Sequence, residues 1–268
     1  TSLESYATNP LIHGTICVLI ISGGIGFIVL KELTEVFMKG KSLIRLGLHS
    51  KIVIITSTFL TVGGTLFFFF GEFLGALDSY SLWEKIQISF FQSVTLRTAG
   101  FNTISLNNLN TYTIYGMTLL MFIGGSPGST GGGIKTTTLA ILFQSIRSTL
   151  KAENKVTIFD RTIPNSLVVR ATALTFFSII VTSIFILILI KVESEQSFLN
   201  IFFEVISAGG TVGLSLGITP YLTIAGKFFI SLMMLIGRIG PLTLILAIGQ
   251  RGRERGKFDY PEGRIMIG

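Results

Sequence analysis

Long apolar stretches separated by short polar segments set out the organisation of this chain. Leu11 to Leu30 is interrupted only by His13 and by small and hydroxyl residues. As a helix rising about 1.5 Å per residue it is long enough to cross a bilayer once. Ile52 to Phe70 and Ala171 to Ile190 predict the second and fourth spans, and the Ile-rich run from Ser178 to Ile190 reads as lipid-facing. Tyr112 to Ser148 and Leu222 to Gly249 are longer apolar regions, predicted as spans three and five running in the opposite direction.

Two further segments, Ser79 to Asn107 and Gln196 to Ile218, are too short to cross and lie between an outgoing and an ingoing span. Each predicts a short helix, Ser81 to Leu96 and Ser197 to Ala208. The first runs into Thr98-Ala99-Gly100-Phe101-Asn102 and the second into Thr211-Val212-Gly213-Leu214-Ser215. The pentads align at an offset of 113 residues as Thr-small-Gly-bulky-polar. The chain therefore carries two copies of a span, half-helix, loop and span unit, with the first span left over as the end of an upstream unit. A first residue of Thr rather than Met fits a sequence that begins partway through a longer protein.

Irregular backbone at membrane depth persists only where protein buries it or a wet cavity meets it, so these re-entrant loops must line something. The half-helices point their partly negative C-terminal ends toward the membrane centre, which favours a cation there. Glycine at the third position admits positive φ, so consecutive carbonyls can turn to one axis and replace the water shell of a monovalent ion. Thr211-Val212-Gly213 resembles the start of a potassium-channel filter.

Within span three, Gly124-Gly125-Ser126-Pro127-Gly128-Ser129-Thr130-Gly131-Gly132-Gly133 leads into Ile134-Lys135-Thr136. Glycine costs roughly 1 kcal/mol and proline about 3 kcal/mol inside a helix, so this span must be two half-helices joined by a flexible loop. Such a loop just inside the filter is placed to gate it. Arg238 stands in the middle of span five, where a lone charge needs a partner; the carbonyls and hydroxyls of the broken loop are natural acceptors. Lys135 is equally placed to meet lipid phosphate or the loop. The loop is not a phosphate-binding P-loop, because Ile134 precedes Lys135 where glycine is required and no strand comes before it.

Composition supports the membrane reading. Mean hydropathy is +0.71, and only 13% of residues are charged against about a quarter in soluble domains. The formal charge of +7 would suggest nucleic acid, but 15 of the 21 bases fall into three groups of five beside ends of apolar runs, at Lys31 to Lys51, Arg147 to Arg170 and Arg251 to Arg264. By the positive-inside rule these face the cytoplasm, and the acids Glu72, Asp78, Glu84, Glu193, Glu195 and Glu204 mark outward segments. A nucleic-acid surface is thereby excluded. A lone Cys17 forms no internal disulfide, and His13 and His49 alone build no metal site; His13 and Cys17 are expected to pack against neighbouring helices. The polar first ten residues lack the basic start of a signal peptide.

Together these motifs resemble the Trk/Ktr/HKT superfamily of potassium transporters, most closely its KtrB/TrkH-type membrane subunits. Arg97 to Thr103 looks like the third pore loop, Gly210 to Ser215 like the fourth, Gly124 to Lys135 like the intramembrane gating loop, and Gly237 to Pro241 like the last helix. The resemblance implies an all-α membrane protein of four helix–pore-loop–helix units, pseudo-fourfold around one pore. This chain would hold the second helix of an upstream unit and a linker (1–50), the third unit (51–164), the fourth (165–250) and a cytoplasmic tail (251–268). It further implies a K⁺ filter at Thr98, Ala99, Gly100, Phe101 and Asn102 with Thr211, Val212, Gly213, Leu214 and Ser215, and a gate from Gly124 to Gly133 with Lys135. Arg238 would be the pore-side charge.

The protein would be no enzyme and need no cofactor in this chain. It would be a multi-pass cell-membrane homodimer amid lipid, served by a cytosolic RCK-type nucleotide-binding subunit, with K⁺ transported and Na⁺ a candidate coupling or activating ion. The sequence departs from the family at Gly209, where a bulkier residue is expected before the fourth loop, and at Gly263, which interrupts an expected acidic pair in the tail. A secondary ion-coupled transporter is the alternative, although such repeats are commonly inverted. An intramembrane hydrolase using Ser126 or Ser129 lacks a base near the loop.

Overall fold

The computed structural model describes residues 3–38, 40 and 46–240. The inner end of the fifth apolar stretch, the 251–268 tail and Gly263 lie outside them. The described chain is all-helical apart from one short hairpin. In order the helices are α1 (Pro10–Ile25), α2 (Phe27–Met38), α3 (Leu48–Glu72), α4 (Leu82–Thr95), α5 (Thr111–Phe122), α6 (Thr136–Leu150), α7 (Asn165–Val192), α8 (Phe198–Gly209) and α9 (Ile224–Ile239). Strands Thr157–Ile158 (β1) and Arg161–Thr162 (β2) pair antiparallel between α6 and α7. The succession long helix, short helix, loop, inner helix occurs twice, as α3–α4–α5 and as α7–α8–α9.

The helices α3 and α7 are long and apolar enough to span a membrane, because neither contains a proline or an interior pair of charges. The short helices start at serine caps. Ser81 Oγ accepts the Glu84 amide while Glu84 Oε2 accepts the Ser81 amide, a capping box that fixes the start of α4. The Ser81 hydroxyl, donating to Glu84 Oε2 at 2.7 Å, and then the Ser81 amide hold the Glu84 carboxyl below its ordinary value. Ser197 caps α8 by accepting the Asn200 amide at 3.3 Å.

The first span is not one straight helix, as its uninterrupted apolar run had suggested. It breaks at Gly26, whose φ of +93° is open to glycine, and α1 and α2 meet at 108°. A Cβ at Gly26 would lie 2.6 Å from the Pro127 carbonyl oxygen. The Phe27 amide, freed by the break, donates to the Gly128 carbonyl at 3.1 Å. The break therefore exists to receive the loop of span three. At the far end of the chain α9 stops at Gly240 with φ +83° and ψ 144°, close to the +93° and 144° of Gly26.

Three of the acids that mark the segments expected to face outward are buried: Glu72 at 0% exposure, Glu193 and Glu204 at 5%. Glu72 ends α3 and accepts the backbone amide (2.9 Å) and side-chain amide (3.2 Å) of Asn110, the cap of α5. Glu193 follows α7 and accepts the amide (2.9 Å) and hydroxyl (2.6 Å) of Thr223, the cap of α9. Each long helix is thus stapled to the inner helix of its own unit by a carboxylate on that helix's first turn, where the N-terminal dipole favours negative charge. Between these staples the core is built from α3, α4, α5 and α8, with Phe68, Ile88, Met117, Met121 and Phe203 among its buried members.

Candidate functional site: the paired pore loops and the loop beneath them

Each pore loop begins where its half-helix runs out of partners. After α4 the amides of Ala99 and Gly100 both turn back to the Thr95 carbonyl, at 3.2 and 3.4 Å. After α8 the Val212 amide returns to the Ser207 carbonyl at 2.9 Å. The two loops then follow the same backbone path. Thr98 and Thr211 have φ of +73° and +54°, and Gly100 and Gly213 have φ of +77° and +90°. Positive φ is costly for threonine, so its recurrence at matching positions marks a conformation that the surroundings impose.

The loops also meet. A Cβ at Gly213 would sit 3.8 Å from the Gly100 Cα, and one at Gly100 would run into the Val212 carbonyl oxygen. Val212 and Leu214 are buried in the core while Gly213 between them is exposed. Side chains thus anchor the strand on one side and leave its peptide groups open on the other. Ala99 and Asn102 are half-buried and Phe101 is exposed. The third loop has an additional clamp: Thr95 Oγ1 donates to the Phe101 carbonyl at 2.7 Å and accepts the Phe101 amide at 2.9 Å. At the equivalent place in the fourth unit stands Ala208. There the outer end of the loop is held instead by Ser215 and Thr219, whose hydroxyl oxygens are 2.8 Å apart.

The segment from Gly124 to Lys135 interrupts span three between α5 and α6, as its glycines and proline require. It is not slack. Backbone bonds stitch its base, from Gly124 to Ile134 at 3.0 Å and from Thr136 to Gly125 at 3.3 Å. Its flank docks on the end of α1, the amides of Ser126 and Thr130 donating to the carbonyls of Gly24 (2.9 Å) and Gly23 (3.3 Å). Ser126 Oγ is buried and accepts from Thr136 Oγ1 at 3.0 Å, and Ser129 Oγ accepts the Gly131 amide at 3.3 Å. These serines serve the loop's own folding, and His13 lies on α1 against Phe91, its Nδ1 3.0 Å from Gln87 Nε2.

The tip of the loop lies directly against both pore loops. The Gly132 amide donates to Thr211 Oγ1 at 2.8 Å, and a Cβ at Gly131 would lie 2.7 Å from Thr98 Oγ1. Two cations close on the same tip: Arg238 donates to the Thr130 carbonyl and Lys135 to the Gly131 carbonyl. Arg238 therefore meets a carbonyl of the broken loop, and Lys135 meets the loop as well. Gly209, flagged as too small, leaves no gap: a Cβ there would collide with Met233 of α9, which is itself buried.

Two contributors went unread in the sequence. Arg97, just before the third loop, turns away from the centre and donates to Ser57 Oγ on α3 at 3.0 Å. Glu204 on α8 backs the fourth loop, its Oε1 accepting from Thr219. The available signal was a charged residue shortly before each glycine loop, Arg97 three positions before Gly100 and Glu204 nine before Gly213.

The description "TrkH: Cation transport protein" belongs to a family model that matches residues 1–251. The chain belongs to this family. It is 37% identical over 273 residues to Ktr system potassium uptake protein B of Bacillus subtilis, covering 100% of this chain and 59% of that protein. It is likewise 37% identical to potassium/sodium uptake protein NtpJ of Enterococcus hirae, over 100% of this chain and 59% of the relative. Among solved structures, the potassium transporter TrkH of Vibrio parahaemolyticus superposes with a TM-score of 0.76 at 21% identity, over 92% of this chain and 54% of that one. The chain thus spans less than two thirds of the length of these relatives. The relatives in this comparison are transporters, not enzymes.

Proposed function

We propose that this chain supplies the third and fourth units of a K⁺-uptake pore in the cell membrane, with segments 51–164 and 165–250 as the units. Residues 1–50 would come from the preceding unit, and 251–268 would be a cytoplasmic tail. Ions pass through a filter of one glycine per unit, Gly100 and Gly213 here, between the carbonyls of Thr98 to Asn102 and of Thr211 to Ser215. The observation that carries this reading is the approach of Gly100 and Gly213, backbone to backbone, on two loops with the same sequence of positive φ angles. The Phe101 carbonyl already accepts from Thr95 Oγ1 and the Asn102 carbonyl from the Leu3 amide, and the remaining peptide oxygens that line the path at membrane depth would meet a cation or water.

Beneath the filter, Gly124 to Gly133 acts as the gate. Arg238 and Lys135 hold its tip, and their charges oppose a cation leaving the filter inward until the loop moves. A cytosolic RCK-type nucleotide-binding subunit sets that movement in a homodimeric assembly whose inner face is basic. A filter with few carbonyl layers discriminates K⁺ from Na⁺ weakly, and the potassium/sodium name of the Enterococcus hirae relative supports this. The test is expression of the full-length transporter in bacteria lacking their own K⁺-uptake systems. Growth at low K⁺ and uptake of Rb⁺ are expected, with higher flux when the Gly124 to Gly133 loop is shortened. Absence of uptake by a correctly inserted protein rejects the transport reading, and lower flux in the shortened loop rejects the gate.

A further inference from the structure

Behind the fourth pore loop lies a cavity of about 390 Å³ lined by Glu204, Thr211, Gly213, Ser215, Thr219 and Arg238, among others. Glu204 is 5% exposed. Its Oε1 accepts from Thr219 Oγ1 at 2.5 Å, and Oε2 has no hydrogen-bond partner among the described residues. A threonine hydroxyl carries one proton. With that proton on Glu204, the Ser215 hydroxyl, 2.8 Å from Thr219, donates to Thr219 and keeps its remaining lone pair alongside the cavity. The cavity is therefore bordered by a carboxylate whose second, buried oxygen has no partner among the described residues and by the oxygens of two hydroxyls. The Arg238 guanidinium, already committed to the Thr130 carbonyl, lines it as well.

A buried carboxylate with an unsatisfied oxygen is costly unless a cation or proton joins it. The lining carries a carboxylate and a guanidinium, so a mobile cation settles beside Glu204. The space exceeds the roughly 30 Å³ share of one water many times over, so the ion can keep part of its hydration shell. We propose that Glu204 Oε2, with the hydroxyl oxygens of Ser215 and Thr219, forms an auxiliary site for a partly hydrated monovalent cation beside the fourth pore loop. It is separate from the filter carbonyls, raises K⁺ occupancy next to them, and rests on the pore reading given above. The third unit has no counterpart, since Phe91 stands where the repeat would place the acid.

The experiment uses the full-length transporter in cells lacking other K⁺ uptake. Glu204→Gln keeps the shape and the acceptor for Thr219 but removes the charge. It is expected to raise the KM for K⁺ roughly tenfold while the ratio of K⁺ to Na⁺ uptake at saturation is retained, and Glu204→Asp is expected to recover part of the loss. An unchanged KM at normal membrane abundance overturns the site. Should Glu204→Gln fail to insert, the wild-type protein in Rb⁺ decides through anomalous density. Density at Glu204 supports the site, density between Gly100 and Gly213 without any at Glu204 overturns this inference alone, and density at neither place overturns the pore reading as well.

Discussion

The backbone amide of Gly132 donates to the hydroxyl of Thr211 at 2.8 Å, tying the intramembrane loop to the first residue of the fourth pore loop. One hydrogen bond therefore links the proposed gate to the proposed filter. Thr211→Val keeps shape and backbone but removes the acceptor, leaving a buried amide unpaired at about 1–3 kcal/mol. The expected outcome is a destabilised closed loop and a higher basal Rb⁺ flux in the full-length transporter at unchanged protein abundance. A lower flux would show that the bond supports conduction instead of restraining it.

Arg238 holds the same loop from α9 through the Thr130 carbonyl. Arg238→Gln retains a donor of similar reach but removes the charge. Uptake is expected to rise severalfold, because both an electrostatic barrier and a charge-assisted hydrogen bond, about 1.5–3 kcal/mol, are weakened. Flux measured in vesicles at fixed membrane potential separates this from altered driving force.

The two glycines proposed for the filter, Gly100 and Gly213, differ in their surroundings although both have positive φ. Alanine at either position meets the positive-φ penalty of about 1–2 kcal/mol. At Gly100 the added methyl also strikes the Val212 carbonyl, whereas at Gly213 it faces the Gly100 Cα at 3.8 Å. Gly100→Ala should therefore lower the melting temperature of the detergent-solubilised protein more than Gly213→Ala does. Equal shifts would mean that the loops sit farther apart than described.

The staples at Glu72 and Glu193 are expected to be structural. Glu72→Ala strips acceptors from the Asn110 amides, and Glu193→Ala strips those from Thr223. Each should cost about 1–3 kcal/mol in stability while the ratio of K⁺ to Na⁺ uptake in surviving protein stays constant. A changed ratio would bring these acids into the permeation path.

Much of this architecture is legible in the sequence because single-residue chemistry decides it. The apolar lengths of α3 and α7, the serines before α4 and α8, and the glycines and proline of the broken span each leave few alternatives, and the matching pentads betray the repeat. The break at Gly26 is different. One glycine within an apolar run costs only about 1 kcal/mol, so the run reads as continuous. What bends it is the loop a hundred residues later, through the Phe27 amide and the Gly128 carbonyl. The acids serve in the sequence only to mark segments, and it is the capped inner helices that reveal the amides drawing Glu72 and Glu193 inward. At Gly209 the missing bulk is restored by Met233 from another helix, which no local pattern announces.

The pore account is tested most directly by the ratio of K⁺ to Na⁺ uptake in full-length transporter carrying Gly213→Ser, in which the substituted position has room for the side chain but not its preferred backbone. The account predicts that the ratio falls by roughly tenfold, equivalent to about 1.4 kcal/mol of discrimination, in protein that is made and inserted normally. An unaltered ratio with unaltered uptake kinetics would contradict it.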